Sequence, residues 1–177
     1  MSLSHCSLPK LTLTLVAVIF VIGGCCQRQN ENTFSEEEAS QLLDRYMETI
    51  NNADMDLIDE IISPDYVLRS PMFPEPIVGI EGYKAMVTNT AVTFPDIHAE
   101  INDIVIRGDE LWGRFTLSGT NTGPIGELPP TGKPFQISGL AITTVADGMI
   151  ISDETQWNVL DMFQQLGFTL VPPQTEQ

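Results

Sequence analysis

The sequence predicts an α+β domain in which N-terminal helices pack into the concavity of a curved antiparallel sheet of four to five strands. Three observations predict it. Apolar residues recur at helical spacing in the first half of the domain, the period changes to two from Ile97 onward, and the alternating runs are joined by turn signals that make them a meander. Helices that precede such a sheet must cover one of its faces to bury their apolar stripes.

Ser35-Glu36-Glu37-Glu38 reads as a capping box whose acids also favour the helix dipole. Ala39, Leu42, Leu43, Tyr46, Met47 and Ile50 then form one face of an amphipathic helix, which Asn51-Asn52-Ala53-Asp54 breaks. A second, shorter helix turns Leu57, Ile58, Ile61 and Ile62 inward and ends at Ser63-Pro64. Tyr66-Val67-Leu68-Arg69 is a short strand. A third helix over about residues 81–93 carries Tyr83, Met86, Val87 and Val92, and Phe94-Pro95-Asp96 stops it. Strands are expected over 98–106, 111–120, 135–145 and 149–160. Arg107-Gly108-Asp109-Glu110 joins the first pair and Asp147-Gly148 the last, where both turn positions tolerate positive φ. A loop rich in Gly and Pro separates the middle strands.

The 177 residues carry 24 Asp+Glu against 8 Lys+Arg, a net charge of −16. Such a polyanion repels phosphate backbones, which excludes nucleic acid as a partner. All the acids lie at or after Glu31. Before them, Lys10 precedes an apolar run from Leu11 to Ile22 that Gly23-Gly24-Cys25 closes, the layout of an export signal over residues 1–24. The run is too short to span hydrocarbon, which takes about 20 residues. Ile22-Gly23-Gly24-Cys25 resembles the bacterial lipobox, whose cysteine is joined to diacylglycerol and becomes the first mature residue. Lipidation at Cys25 would anchor the chain to the cell envelope, with a polar tether over 25–34, a domain over 35–168 and a tail over 169–177. Removing 24 of the 177 residues leaves 153, and with Lys10 gone the charge becomes −17.

No cysteine follows Cys26, so the domain has no disulfide, thiolate nucleophile or Cys-ligated metal to use. His98 is the only histidine after the signal, too few for a His-rich metal site. Gly79-Ile80-Glu81-Gly82 lacks the third glycine and the preceding strand of a dinucleotide fold. Arg114 shares a strand face with Trp112, Thr116 and Ser118, and Trp112 and Arg114 are expected to line a pocket; Arg114 is placed either to meet an anionic group of a ligand or to pair with Glu100, Asp153 or Glu154. Tyr46 and Tyr66 belong to apolar stripes and are candidates to bring a phenol to a pocket.

Phe94-Pro95-Asp96, Gly108-Asp109, Gly119-Thr120-x-Thr122-Gly123, Pro130-Thr131-Gly132-Lys133, Gly139, Asp147-Gly148-x-Ile150 and Gln165-Leu166-Gly167 occur in this order. Together they resemble the SnoaL-like polyketide cyclase, or ester cyclase, family, within the cone-shaped superfamily that includes ketosteroid isomerases and limonene epoxide hydrolases. The resemblance spans about residues 39–167. It implies a cone-shaped barrel with an apolar pocket open at one end, a small polyketide-like ligand, no cofactor or metal, and a homodimer formed through the sheet. The family's cyclases close a ring by an intramolecular aldol reaction, using an Asp on the last strand and a His on the preceding one. Ungapped alignment puts Thr155 at the Asp position and Ala141 at the His position, and neither can exchange a proton near neutrality.

Asp153 is the nearest replacement. It lies two residues from Thr155, hence on the same strand face about 7 Å along. A carboxylate in an apolar pocket has its pKa raised toward the range in which it can take a proton from carbon. Trp157 shares that face as a pocket wall or a core residue, while Glu154 faces the other way. Two functions follow as expectations: a membrane-anchored, cofactor-free acid/base cyclase or isomerase using Asp153, or an envelope binding module that kept the cone and lost the chemistry.

Overall fold

The computed structural model describes residues 35–171. The expected export signal and tether, with Cys25, lie outside this range, as do residues 172–177 of the expected tail. Helix α1 (Glu36–Asn52) starts at the capping box: Glu38 N donates to Ser35 Oγ at 3.2 Å and Ser35 N to Glu38 Oε2 at 2.9 Å. Ala39, Leu43, Tyr46 and Thr49 form its buried stripe. Asp54 caps α2 (Met55–Ile61) by accepting from Leu57 N at 3.0 Å. Strand β1 (Ile62–Arg69) follows directly, so Pro64 lies within a strand and the helix ends ahead of Ser63-Pro64. Pro disfavours helical backbone in the residue before it, which sets that boundary.

A two-residue strand β2 (Ile77–Val78) leads through Gly79, at φ +77°, into α3 (Gly79–Thr93). Asp96 closes the exit of α3 by accepting from Thr120 N at 2.6 Å and Thr120 Oγ1 at 2.7 Å. The meander then runs through β3 (His98–Arg107), β4 (Glu110–Thr120), β5 (Pro134–Ala146) and β6 (Met149–Trp157). A last helix α4 (Val159–Gln165) stands where the strand was expected to continue to 160. Asn158 caps it by accepting from Asp161 N at 3.0 Å.

The sheet has six strands in the order β2-β1-β6-β5-β4-β3, rather than four to five. It is also mixed rather than antiparallel throughout, because β1 joins β6 in parallel. A parallel partner so distant in sequence leaves no turn signal to announce it. Register shifts between Ile101 and Asp103 on β3, and at Thr144/Val145 on β5 against β6, are bulges of the kind that bend a sheet. Inside the bend, one apolar cluster gathers α1, α2, α3 and β1 around Tyr66 and Tyr83, and a second gathers Phe94, Phe115, Phe135 and Met162.

Candidate active site

A cavity of about 700 Å³ is lined by members of both clusters, among them Leu43 and Leu68 of the first and Phe94, Phe115 and Phe135 of the second. Its walls come from α1, α3 and the inner face of the sheet. The β6 contribution is a row of alternate residues, Asp153, Thr155 and Trp157. Among the described residues, Asp153 is the only acid in the lining, which contains no Lys, Arg or His.

Asp153 is 3% exposed. Thr143 Oγ1, opposite it on β5, donates to Oδ1 at 2.7 Å, and Tyr46 Oη donates to Oδ2 at 3.3 Å. With its proton committed to Asp153, Tyr46 must accept from Tyr66 Oη, which lies 2.7 Å away. A second chain supports the first. Thr49 Oγ1 donates to the Tyr46 carbonyl at 2.7 Å and so accepts from Tyr83 Oη at 2.8 Å. The Tyr83 ring stacks on Tyr46 at 5.8 Å and meets Tyr66 edge-on at 5.1 Å.

This environment tunes the carboxyl. Burial pushes Asp153 up to about 6, against the hydrogen bonds from Thr143 and Tyr46, which favour the ionised form. Burial, reinforced by the Asp153 charge, holds the Tyr46 and Tyr66 hydroxyls well above their usual range, so both remain donors at any physiological pH. The result is one buried carboxyl whose pKa is raised toward neutrality and which accepts hydrogen bonds from neutral hydroxyls. Among the described residues no cluster of three or more His, Cys, Asp or Glu side chains is placed to hold a metal ion.

Of the residues singled out from sequence, Tyr46, Ala141, Asp153, Thr155 and Trp157 line the cavity. Tyr66 is fully buried behind Tyr46. Trp157 Nε1 donates to Ser70 Oγ at 3.4 Å. Trp112 and Arg114 are not pocket residues. The inward positions of β4 are Leu111, Gly113 and Phe115, so Trp112 and Arg114 point out of the cone, and Trp112 Nε1 bonds Glu110 Oε2 at 2.9 Å. His98 and Glu154 are also exposed. Sequence reasoning missed Thr143 and the pair Thr49–Tyr83. Counting back from the Asp147-Gly148 turn pairs Thr143 with Ser152, and only the bulge brings it opposite Asp153.

Helices packed on a curved six-stranded sheet, around a pocket with one raised-pKa acid, define the class as a small α+β fold. Comparison with known proteins narrows it. The family model for SnoaL-like polyketide cyclases matches residues 40–166, and the chain belongs to that family. TsrD from Streptomyces laurentii is 28% identical over 76% of this chain and 98% of its own, with a TM-score of 0.67. IdmH from Streptomyces antibioticus, a candidate polyketide cyclase, is 30% identical over 73% and 99%, with a TM-score of 0.64. A Catenulispora acidiphila protein with a ketosteroid isomerase-like fold, solved with trimethylamine, shares the fold at 13% identity over 75% and 98%, with a TM-score of 0.64. No curated protein matches the sequence.

Proposed function

We propose that this protein is a cofactor-free acid/base catalyst, a cyclase or isomerase acting on a small apolar carbonyl compound, with Asp153 as the group that takes and returns the proton. The observation that carries this reading is the Asp153 carboxyl itself, buried on the wall of an apolar cavity and pushed up to about 6. At neutral pH it is ionised yet basic enough to remove a proton from carbon beside a carbonyl, the electron pair moving onto the carbonyl oxygen as an enolate. An enolate conjugated with a double bond takes the proton back from Asp153 at the far carbon, which is isomerisation; one that attacks a second carbonyl of the same molecule closes a ring, and the new alkoxide takes the proton back from Asp153.

The test is deuterium uptake by the carbon acid β-tetralone in D2O, followed by NMR with the purified protein. Exchange should rise with pH through about 6 and fall on the order of a hundredfold in Asp153→Asn. Exchange unchanged by that substitution sinks the assignment. The presence of Thr155 and Ala141 at the family's Asp and His positions favours a second reading, a binding module without turnover. For that reading the same experiment gives binding with no protein-dependent exchange.

We also propose that the chain is exported and held on the envelope by lipid at Cys25, on the strength of the apolar run and Gly23-Gly24-Cys25. Incorporation of a labelled fatty acid should be lost in Cys25→Ala and retained in Cys26→Ala.

A further inference from the structure

Thr155 occupies the middle of the cavity-facing row of β6, between Asp153 and Trp157, and Ala141 is its cross-strand neighbour on β5. Its Oγ1 is buried and, among the described residues, is the buried side-chain polar atom without a hydrogen-bond partner. The other hydroxyls around Asp153 are satisfied: Thr143 and Tyr46 by the carboxylate, Tyr66 by Tyr46, and Thr49 and Tyr83 by each other. A buried hydroxyl without a partner costs folding free energy that valine, of nearly the same shape, would not incur. Ala141 offers only a methyl group, so nothing from β5 satisfies the hydroxyl. The hydroxyl itself is shielded, while Thr155 lines the cavity; a turn about χ1 presents the hydroxyl to the cavity in place of the methyl group, where a ligand supplies the partner it lacks.

The lining also limits what that partner is. Among the described residues the lining has Asp153 as its only carboxyl and no Lys, Arg or His, so no cation there compensates a carboxylate or phosphate drawn in beside Asp153. Apolar rings and aliphatic side chains make up most of the remaining wall. Positions two apart on a strand are separated by about 7 Å, close enough for one small molecule to reach both Asp153 and Thr155.

We infer that Thr155 Oγ1 is a ligand-binding donor that holds the carbonyl oxygen of an uncharged, largely apolar ketone, setting the carbon beside that carbonyl against Asp153. This rests on the reading of the cavity as the site for a small carbonyl compound, and it adds the charge class of the ligand and the residue that selects for its oxygen.

The experiment compares β-tetralone with tetralin, the same skeleton without the oxygen, by quenching of tryptophan emission in the Trp112→Phe background, which leaves Trp157 as the emitter, with Thr155 retained or replaced by Val or Ser. Thr155→Val should weaken the ketone about tenfold and leave tetralin unchanged, Thr155→Ser should keep the affinity for the ketone, and the Tm of ligand-free Thr155→Val should not fall. Equal weakening of both compounds, no weakening of the ketone, a wild type that binds no ketone, or a lowered ligand-free Tm each overturns the inference. Its failure is separable from that of the catalytic reading. Ketone affinity unmoved in Thr155→Val refutes the Thr155 contact alone, and deuterium exchange unmoved in Asp153→Asn refutes the catalytic role alone.

Discussion

Thr143 Oγ1 donates a 2.7 Å hydrogen bond to Asp153 Oδ1 across the β5–β6 pair, the shortest contact that the carboxylate makes. The donor favours the charged form and so opposes the upward push of burial. Thr143→Val should therefore raise the Asp153 pKa and move the midpoint of the deuterium-exchange profile above about 6. Tyr46→Phe removes the longer bond, 3.3 Å, and should move it in the same direction by less. The two pH profiles decide the matter, and a midpoint unmoved in Thr143→Val would show that another group titrates.

Stability should carry the same signature. The folded state holds the Asp153 proton up to about 6, while the unfolded chain releases it near the ordinary 3.8. The stabilising contribution is complete below about pH 4, is lost as pH rises toward 6 and changes no further above it. The loss is about 3 kcal/mol, at about 1.4 kcal/mol per pKa unit. Asp153→Asn cannot ionise, so its stability relative to wild type should improve by an amount of that order between pH 4 and pH 7. Urea denaturation of both proteins across that range measures the difference, from which the other carboxylates cancel.

How far the fold and site were readable depended on whether the determinant was local. The capping box at Ser35, the apolar stripe of α1 and the Asp147-Gly148 turn are set by neighbouring residues, and the sequence shows them. The parallel pairing of β1 with β6 is set by packing between segments far apart in the chain, so six strands looked like four to five. At the site, Asp153, Thr155 and Trp157 share a face because they lie on one regular stretch. Which face that is depends on the bulge in β6, since Ile150 and Asp153 are both buried at odd spacing. Ile151 is the extra residue, and an apolar residue on a half-buried strand gives no sign of it. Trp112 misled for the opposite reason: a large aromatic in an alternating strand reads as inward, but here it sits 41% exposed on the outer surface.

The loop after β4 should depend on a single side chain. Asn121 is fully buried, its Oδ1 accepting from Thr131 N at 2.8 Å and its Nδ2 donating to the Gly123 carbonyl at 2.6 Å. Its backbone pairs with Gly132 and Lys133. It thus ties the Gly119–Gly123 segment to the Pro130–Lys133 segment, and holds Pro124, Ile125 and Gly126 on the cavity wall. Asn121→Ala leaves two backbone groups without partners and should cost about 2 kcal/mol or more. Hydrogen exchange should quicken across residues 121–133 and remain slow in β5 and β6; uniform quickening would mean that the loop has no separate stability.

Gly139, paired with the cavity-lining Phe115 and Trp157, should not tolerate a larger residue. It lies on β5 opposite both Phe115 of β4 and Trp157 of β6. A Cβ there would stand 2.5 Å from Phe115 Cζ and 2.8 Å from the Gln156 carbonyl oxygen. The ring is able to turn aside, but the carbonyl belongs to the β6 backbone and moves only with the strand that carries Asp153. Alanine in a strand gains a few tenths of a kcal/mol to about 1 kcal/mol over glycine by restricting the unfolded chain. Overpacking costs about 1–3 kcal/mol and should outweigh it. Gly113→Ala on the neighbouring strand is the control, since its Cβ would meet Ile101 Cδ1 at 3.6 Å and the Asp103 carbonyl at 3.8 Å, both ordinary contacts. Gly139→Ala should therefore lower Tm and weaken β-tetralone binding, because Phe115 is displaced along the cavity wall, while Gly113→Ala leaves binding unchanged and Tm equal to or slightly above that of wild type. If the two substitutions behaved alike, the close approach of Phe115 and β6 to Gly139 would not be what positions this part of the cavity wall.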